Sequence, residues 1–267
     1  MKKILMIFAV LAVAVLAVAA SGCLSSDSGL ETNTTNNTTN NMTNNTTVTG
    51  APAQSVIIYT DGDNVIAQMV VMIMGTHSQS IDKANATVNV SGTTVDVYVP
   101  AVTVSGINTM DIGYEDVTVV LGKVSDFEAG KKYVVTIDGK SDAMKQYGFE
   151  IVNGTLYSYR PANIDNVTVA ADGNNITVTA VVAIGGGANS IDKENITTVD
   201  GFNADGEYDI YIPLKVKDGP STMEMKWGDE KFVIGQLDKM KDGTYVVKIN
   251  DYGISFTIAG GQLTVNA

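Results

Sequence analysis

Ser80-Ile81-Asp82-Lys83 returns later in the chain as Ser190-Ile191-Asp192-Lys193. Working outward from this pair, Asp61-Gly62 answers Asp172-Gly173, and Val70-Val71-Met72-Ile73 answers Val181-Val182-Ala183-Ile184. Asn85-Ala86-Thr87 meets Asn195-Ile196-Thr197, and Asp96-Val97-Tyr98-Val99-Pro100 meets Asp209-Ile210-Tyr211-Ile212-Pro213. Met110, Tyr114 and Gly122 then fall opposite Met223, Trp227 and Gly235, and Tyr133-Val134-Val135 opposite Tyr245-Val246-Val247. So many matches in one order mark a duplication, with copies at 54–159 and 160–267. The tetrapeptide marks the unit. Ile81 and Ile191 read as inward anchors, and Asp82 and Lys83 as surface residues at a loop–strand boundary.

Each copy alternates with period two. Val95, Val97 and Val99 share a face, as do Tyr133, Val135 and Ile137, Phe149 and Ile151, and Ile254, Phe256 and Ile258. Alternating β-branched and aromatic residues are the pattern of half-buried strands. Asp61-Gly62, Asp138-Gly139, Asn153-Gly154, Asp205-Gly206 and Asp242-Gly243 supply turns that tolerate positive φ. With 26 glycines against 5 prolines, the expectation is all-β: two tandem antiparallel β-sandwich domains of seven or eight strands each. The one candidate helix is 142–146. The segment from Phe127 to Val135, echoed by Gly243-Thr244-Tyr245, resembles the turn-then-Tyr entry to a late strand of immunoglobulin-like and fibronectin type III domains. That resemblance implies a Tyr hydroxyl tied to backbone a few residues upstream. It implies no ligand.

Lys2-Lys3, the apolar run Ile4–Ala20 and Ala20-Ser21-Gly22-Cys23 have the order of an export signal. The last four residues resemble the lipobox of prokaryotic membrane lipoproteins. The resemblance implies cleavage after residue 22, a lipid on Cys23, and a protein held on the extracytoplasmic face of the cell membrane. The competing reading is an uncleaved membrane helix with an incidental cysteine. Residues 23–53 read as a disordered linker, because 16 of the 18 residues from Thr32 to Thr49 are Asn or Thr and bury nothing. Such Asn/Thr stalks are similar to those of archaeal surface lipoproteins. Asn33, Asn36, Asn37, Asn41, Asn44, Asn45, Asn85 and Asn195 each begin an Asn-x-Ser/Thr sequon and are candidate glycosylation sites. The alternative is a biased tract never modified.

The net charge is −12, and loss of Lys2 and Lys3 with the signal leaves 15 basic residues against 29 acidic ones. Such a surface repels nucleic-acid phosphate, so no nucleic-acid partner is expected. Cys23 is the only cysteine, which leaves the body without intramolecular disulfides. His77 is the only histidine, and the second copy has Gly187-Ala188 in its place, so no catalytic residue is assigned. Met69, Met72 and Met74 precede it and would suit copper, but read as core filling. Asp61-Gly62-Asp63-Asn64 and Asp172-Gly173-Asn174-Asn175 carry calcium-type oxygens without an EF-hand spacing and read as hairpin turns, the alternative being a weak calcium site between the domains. Gly185-Gly186-Gly187 lacks the residues of a phosphate loop. Asp205/Glu207 and Asp229/Glu230 read as solvated carboxylates.

These readings give a lipid-anchored surface protein, not an enzyme, with no cofactor or metal. It would act as a binding or cell-envelope interaction module toward an unknown protein or glycan partner. Tyr157 and Tyr159 are the exposed aromatics proposed to meet that partner. The alternative is a metal- or small-solute-binding lipoprotein serving a membrane transporter.

Overall fold

The computed structural model describes residues 46–75, 78–104, 111–139, 146–220, 222 and 224–266. The signal, Cys23, the six sequons of the Asn/Thr tract, His77, Met110, Met223 and most of the candidate helix at 142–146 lie outside the described residues. No helix among the described residues is long and apolar enough to cross a membrane.

The first copy begins with β1 (Thr46–Gly50), β2 (Ala53–Asp61), β3 (Asn64–Met74), β4 (Gln79–Ile81), β5 (Thr87–Ser91) and β6 (Thr94–Tyr98). It continues with β7 (Pro100–Val104), β8 (Ile112–Lys123), β9 (Lys132–Ile137), β10 (Tyr147–Val152) and β11 (Thr155–Pro161). The second copy adds β12 (Asn163–Asp172), β13 (Asn175–Ala183), β14 (Ser190–Ile191), β15 (Thr197–Thr198) and β16 (Glu207–Tyr211). It ends with β17 (Pro213–Lys217), β18 (Trp227–Gln236), β19 (Gly243–Ile249), β20 (Tyr252–Ala259) and β21 (Gln262–Val265). The fold is all-β, a β-sandwich made twice. In the first copy the sheet β2-β3-β8 faces the sheet β5-β6-β9-β10-β11, and in the second β12-β13-β18 faces β15-β16-β19-β20-β21.

Each sandwich closes on its own apolar core. Met69, Val97, Phe149 and Leu156 are among the buried residues of the first, and Val178, Ile210, Val247 and Phe256 of the second. Tyr133 stacks on Phe149 with ring centroids 5.3 Å apart, and Tyr245 stacks on Phe256 at 5.6 Å. The Tyr133 hydroxyl accepts from the Glu128 N–H at 2.9 Å, and the Tyr245 hydroxyl donates to the Lys241 carbonyl at 2.9 Å. The upstream tie implied by the Tyr motif is therefore present in both copies. The topology departs from an immunoglobulin sandwich, whose two sheets are antiparallel. β6 runs parallel to β9, and β16 parallel to β19. Parallel neighbours need a long crossover, and here β7 and β8 provide it by carrying the chain to the opposite sheet and back. Period-two alternation is the same in either direction, so the sequence does not distinguish them.

Two expectations about chain segments are corrected. Thr46–Gly50, assigned to the disordered linker, is β1 and pairs along its length with β7. Threonine is polar but β-branched, and the edge of β7 offers its backbone a ladder of hydrogen bonds. The boundary at 159/160 falls inside a strand. β11 pairs with β10 over 155–159, as β21 does with β20, and pairs with β17 over 157–161, as β1 does with β7. One strand is thus the last of the first copy and the first of the second, and it fuses them into a seven-stranded sheet, β14-β17-β11-β10-β9-β6-β5.

The repeated tetrapeptide fastens each small strand to its sandwich. Ile81 and Ile191 pack half-buried against the two cores. The Asp82 and Asp192 N–H groups donate to the carbonyls of Pro100 and Pro213. A short 3-10 turn follows each, Lys83–Asn85 and Lys193–Asn195. Lys83 reaches Glu115 at 3.0 Å and Lys193 reaches Glu230 at 2.7 Å.

Candidate functional site: a groove where the copies fuse

Because β11 pairs with β10 of the first copy on one edge and with β17 of the second on the other, its two faces see both copies. On one face Glu150, Tyr157 and Tyr159 meet Lys132, Lys215 and Asp192. Lys215 bridges to Glu150 at 2.5 Å, and Lys132 to Asp192 at 3.4 Å. The Lys132 ammonium lies 4.0 Å from the Tyr159 ring centroid, and that of Lys215 lies 4.7 Å from Tyr157. Burial pushes the Glu150 carboxyl up, but the Lys215 and Tyr159 hydrogen bonds with the Lys132 charge hold it below the ordinary glutamate range. Burial first, and then the Glu150 hydrogen bond and nearby charges, push the Tyr159 hydroxyl far above the ordinary tyrosine range. The Tyr211 hydroxyl donates to the Gln146 carbonyl at 2.6 Å, and burial raises it likewise. Tyr159 is only 6 % exposed. The expectation that it presents an open ring to a partner is corrected: the lysines and the second copy cover it.

On the other face, β2, β11, the start of β12 and the end of β13 enclose a groove of about 770 Å³. Arg160, Asn163, Asn189 and Gln54 give it polar walls, and Tyr147, Tyr252, Ile57, Ile164, Ile184 and Met225 give it apolar ones. Gly185, at φ 74°, turns the chain out of β13 along one side. Asn189 is fixed there by its own amide on the Ile184 carbonyl at 3.2 Å. Across the fusion, Asn250, itself at φ 52°, accepts from the Ile212 N–H and donates to the carbonyls of Ile212 and Ala162. It therefore holds the corner at which β11 gives way to β12.

The other residues singled out by sequence fall apart from one another. Met69 is fully buried, but Met72 is half-buried and Met74 is 61 % exposed. Core filling is right for the first and corrected for the other two, which sit on the outward face of β3. Among the described residues no three His, Cys, Asp or Glu side chains come together to hold a metal. Asp61-Gly62-Asp63-Asn64 and Asp172-Gly173-Asn174-Asn175 are hairpin turns, with Asp61 opposite Asn64 and Asp172 opposite Asn175. Gly243 is not among the positive-φ residues and simply opens β19, whereas Gly62, Asp138, Asn153 and Gly206 are as expected. Glu230 is not a solvated carboxylate. It is 13 % exposed and bridged by Lys193. Glu207 is half-buried and bridged by Lys248 at 2.6 Å, with its carboxyl lowered chiefly by that hydrogen bond.

Asn85 and Asn195 are exposed, and each amide donates to the aspartate of its own tetrapeptide, at 2.6 and 2.8 Å. Four further sequons begin at Asn89, Asn153, Asn166 and Asn175, all exposed. The plain triplet was enough to find them. The groove had no such signal, because its walls come from residues as far apart in the chain as Gln54 and Tyr252. No family model, curated protein or solved structure matches this chain.

Proposed function

We propose that this chain is a non-enzymatic binding module, held by a lipid on Cys23 at the extracytoplasmic face of the cell membrane. Its ligand site is the groove at the fusion of the two copies. The observation that carries the reading is that groove. It is concave, mostly apolar with a few convergent polar groups, and set at the boundary between two structural units, where ligand sites concentrate. Two copies joined by one shared strand hold its walls at a fixed spacing, which suits recognition of a partner from the cell envelope. The same volume also favours the small-solute form of the alternative, a lipoprotein that passes its ligand to a transporter.

The test uses Ser55→Trp, which places a bulky ring from an exposed wall position into the groove. Cell-envelope material retained by immobilised full-length protein and lost by Ser55→Trp supports the reading. Equal retention by both proteins, or by neither, removes the groove from it. Turnover of peptide or glycoside substrates by the wild type would overturn its non-enzymatic part.

A further inference from the structure

Arg160 is the only arginine in the chain. It lines the groove, and its guanidinium makes no hydrogen bond or ion pair among the described residues. Lys83, Lys132, Lys193, Lys215, Lys231 and Lys248, by contrast, all meet carboxylates. An arginine left unpaired in a protein with 29 acidic residues keeps its planar fork of donors available. Asp251, the one acid among the described lining residues, is engaged in an interaction and is not free. Apart from the neutral amides of Gln54, Asn163 and Asn189 and the Ser55 hydroxyl, the remaining walls are largely apolar, and Ile57 and Met225 stand 52 % and 54 % exposed on them. Large apolar side chains left open beside a single cation describe a ligand with one charged end and an apolar remainder.

We propose that the groove binds a small monocarboxylate with an apolar body, its carboxylate bidentate on Arg160 and its body against Ile57 and Met225. The inference rests on the groove being the ligand site. Charge decides the class. A phosphate monoester brings about −1.5 to −2 to a site with one cation and no lysine among its described lining residues. A polyanion meets the field of the whole acidic surface. One carboxylate is matched in charge and in planar geometry by one guanidinium. The groove of about 770 Å³ is the size at which small-molecule sites bury most of their ligand.

Calorimetry on the full-length protein in neutral detergent tests this with N-acetyl-leucine, its uncharged amide N-acetyl-leucinamide, and inorganic phosphate. The acid is expected to bind, the amide to bind about ten- to a hundredfold more weakly, as loss of a charged hydrogen-bonded pair requires, and phosphate to give no heat. Arg160→Met should abolish the difference between acid and amide, and Arg160→Lys should restore part of it. Equal affinity for acid and amide, phosphate binding tighter than the acid, or no heat from the acid overturns the proposal. The acid–amide comparison uses unaltered protein, so it holds whether or not the variants fold. If Ser55→Trp abolishes retention of envelope material while N-acetyl-leucine gives no heat, the binding module stands and the carboxylate class falls.

Discussion

Replacing Met69 by alanine asks whether the two copies unfold as one. Met69 is fully buried in the first copy, on β3, which pairs only with β2 and β8. Truncating a buried methionine costs about 2–5 kcal/mol, and the question is whether the second copy feels it. Several side-chain contacts among the described residues cross the fusion. The Thr60 N–H donates to the Asp218 carboxylate at 2.8 Å, and its hydroxyl does so too. Lys215 bridges to Glu150, Lys132 to Asp192, and Tyr211 to the Gln146 carbonyl. At roughly 1 kcal/mol each, with the half-exposed Lys132–Asp192 pair discounted, they amount to about 4–5 kcal/mol. The β10–β11 ladder comes on top. Domain stabilities are only about 5–15 kcal/mol, so a second copy stripped of the first has little left to hold it. Urea unfolding followed by Trp227 fluorescence and by far-UV circular dichroism reads this directly, since the only tryptophan lies in the second copy. Both probes should give one coincident transition, shifted in Met69→Ala to lower urea by the full cost. A Trp227 curve that stays put while circular dichroism shows a separate earlier step would refute the coupling.

Glu150→Gln should lower stability by about 1–3 kcal/mol at neutral pH and lose its effect in acid. The Glu150 carboxyl is depressed in the folded state, so its stabilisation is complete above the ordinary value of 4.5 and fades as pH falls through the lowered one. Melting temperatures of the two proteins should therefore converge below that value, and a gap independent of pH would count against the ion pair. Asn250→Ala loses three hydrogen bonds at the β11–β12 corner and a tolerated positive φ, at a cost of about 2–4 kcal/mol in urea unfolding. Asn250→Gly, which keeps the φ, should recover part of it. Tyr133→Phe should cost about 0.5–1.5 kcal/mol, and Tyr245→Phe less, because its hydroxyl bond is open to solvent. Cys23→Ala should move the protein from the membrane to the soluble fraction, and a variant still bound to membranes would remove the lipid anchor.

The parts of this molecule that were legible in the sequence are those where the chain speaks locally. Val95-x-Val97 and Tyr133-x-Val135 announce strands because alternate side chains reach alternate faces. Asp61-Gly62 announces a hairpin because the glycine sits at φ 59°. Tyr133 and Tyr245 announce their hydroxyl ties because donor and acceptor lie within five residues. What escaped is what depends on distant partners. Thr46–Gly50 becomes a strand only because β7 lies beside it. β6 runs parallel to β9 only because β7 and β8 cross between the sheets. Tyr159 is covered only because Lys132 and Lys215 lie over it, and Arg160 meets Ile57 and Met225 only through the fold. The double duty of β11 did leave a trace, since Leu156 corresponds to Leu263 and Ala162 to Ala51. Seeing it requires letting the end of one copy overlap the start of the next.

That overlap inverts the usual rule about where a duplicated protein tolerates a change of length. Boundaries between repeated units ordinarily lie in exposed segments that accept insertions. Here the boundary is Thr155–Pro161, locked in register to β10 on one side and to β17 on the other. One extra residue within it would turn every later side chain to the opposite face. Leu156 would stay in its core, while Ser158 and Tyr159 traded surroundings and Arg160 left the groove. Hairpin tips such as Gly62-Asp63 and Gly173-Asn174 can lengthen at little cost. The junction between the copies cannot, and a family descended from this chain would keep its length there to the residue.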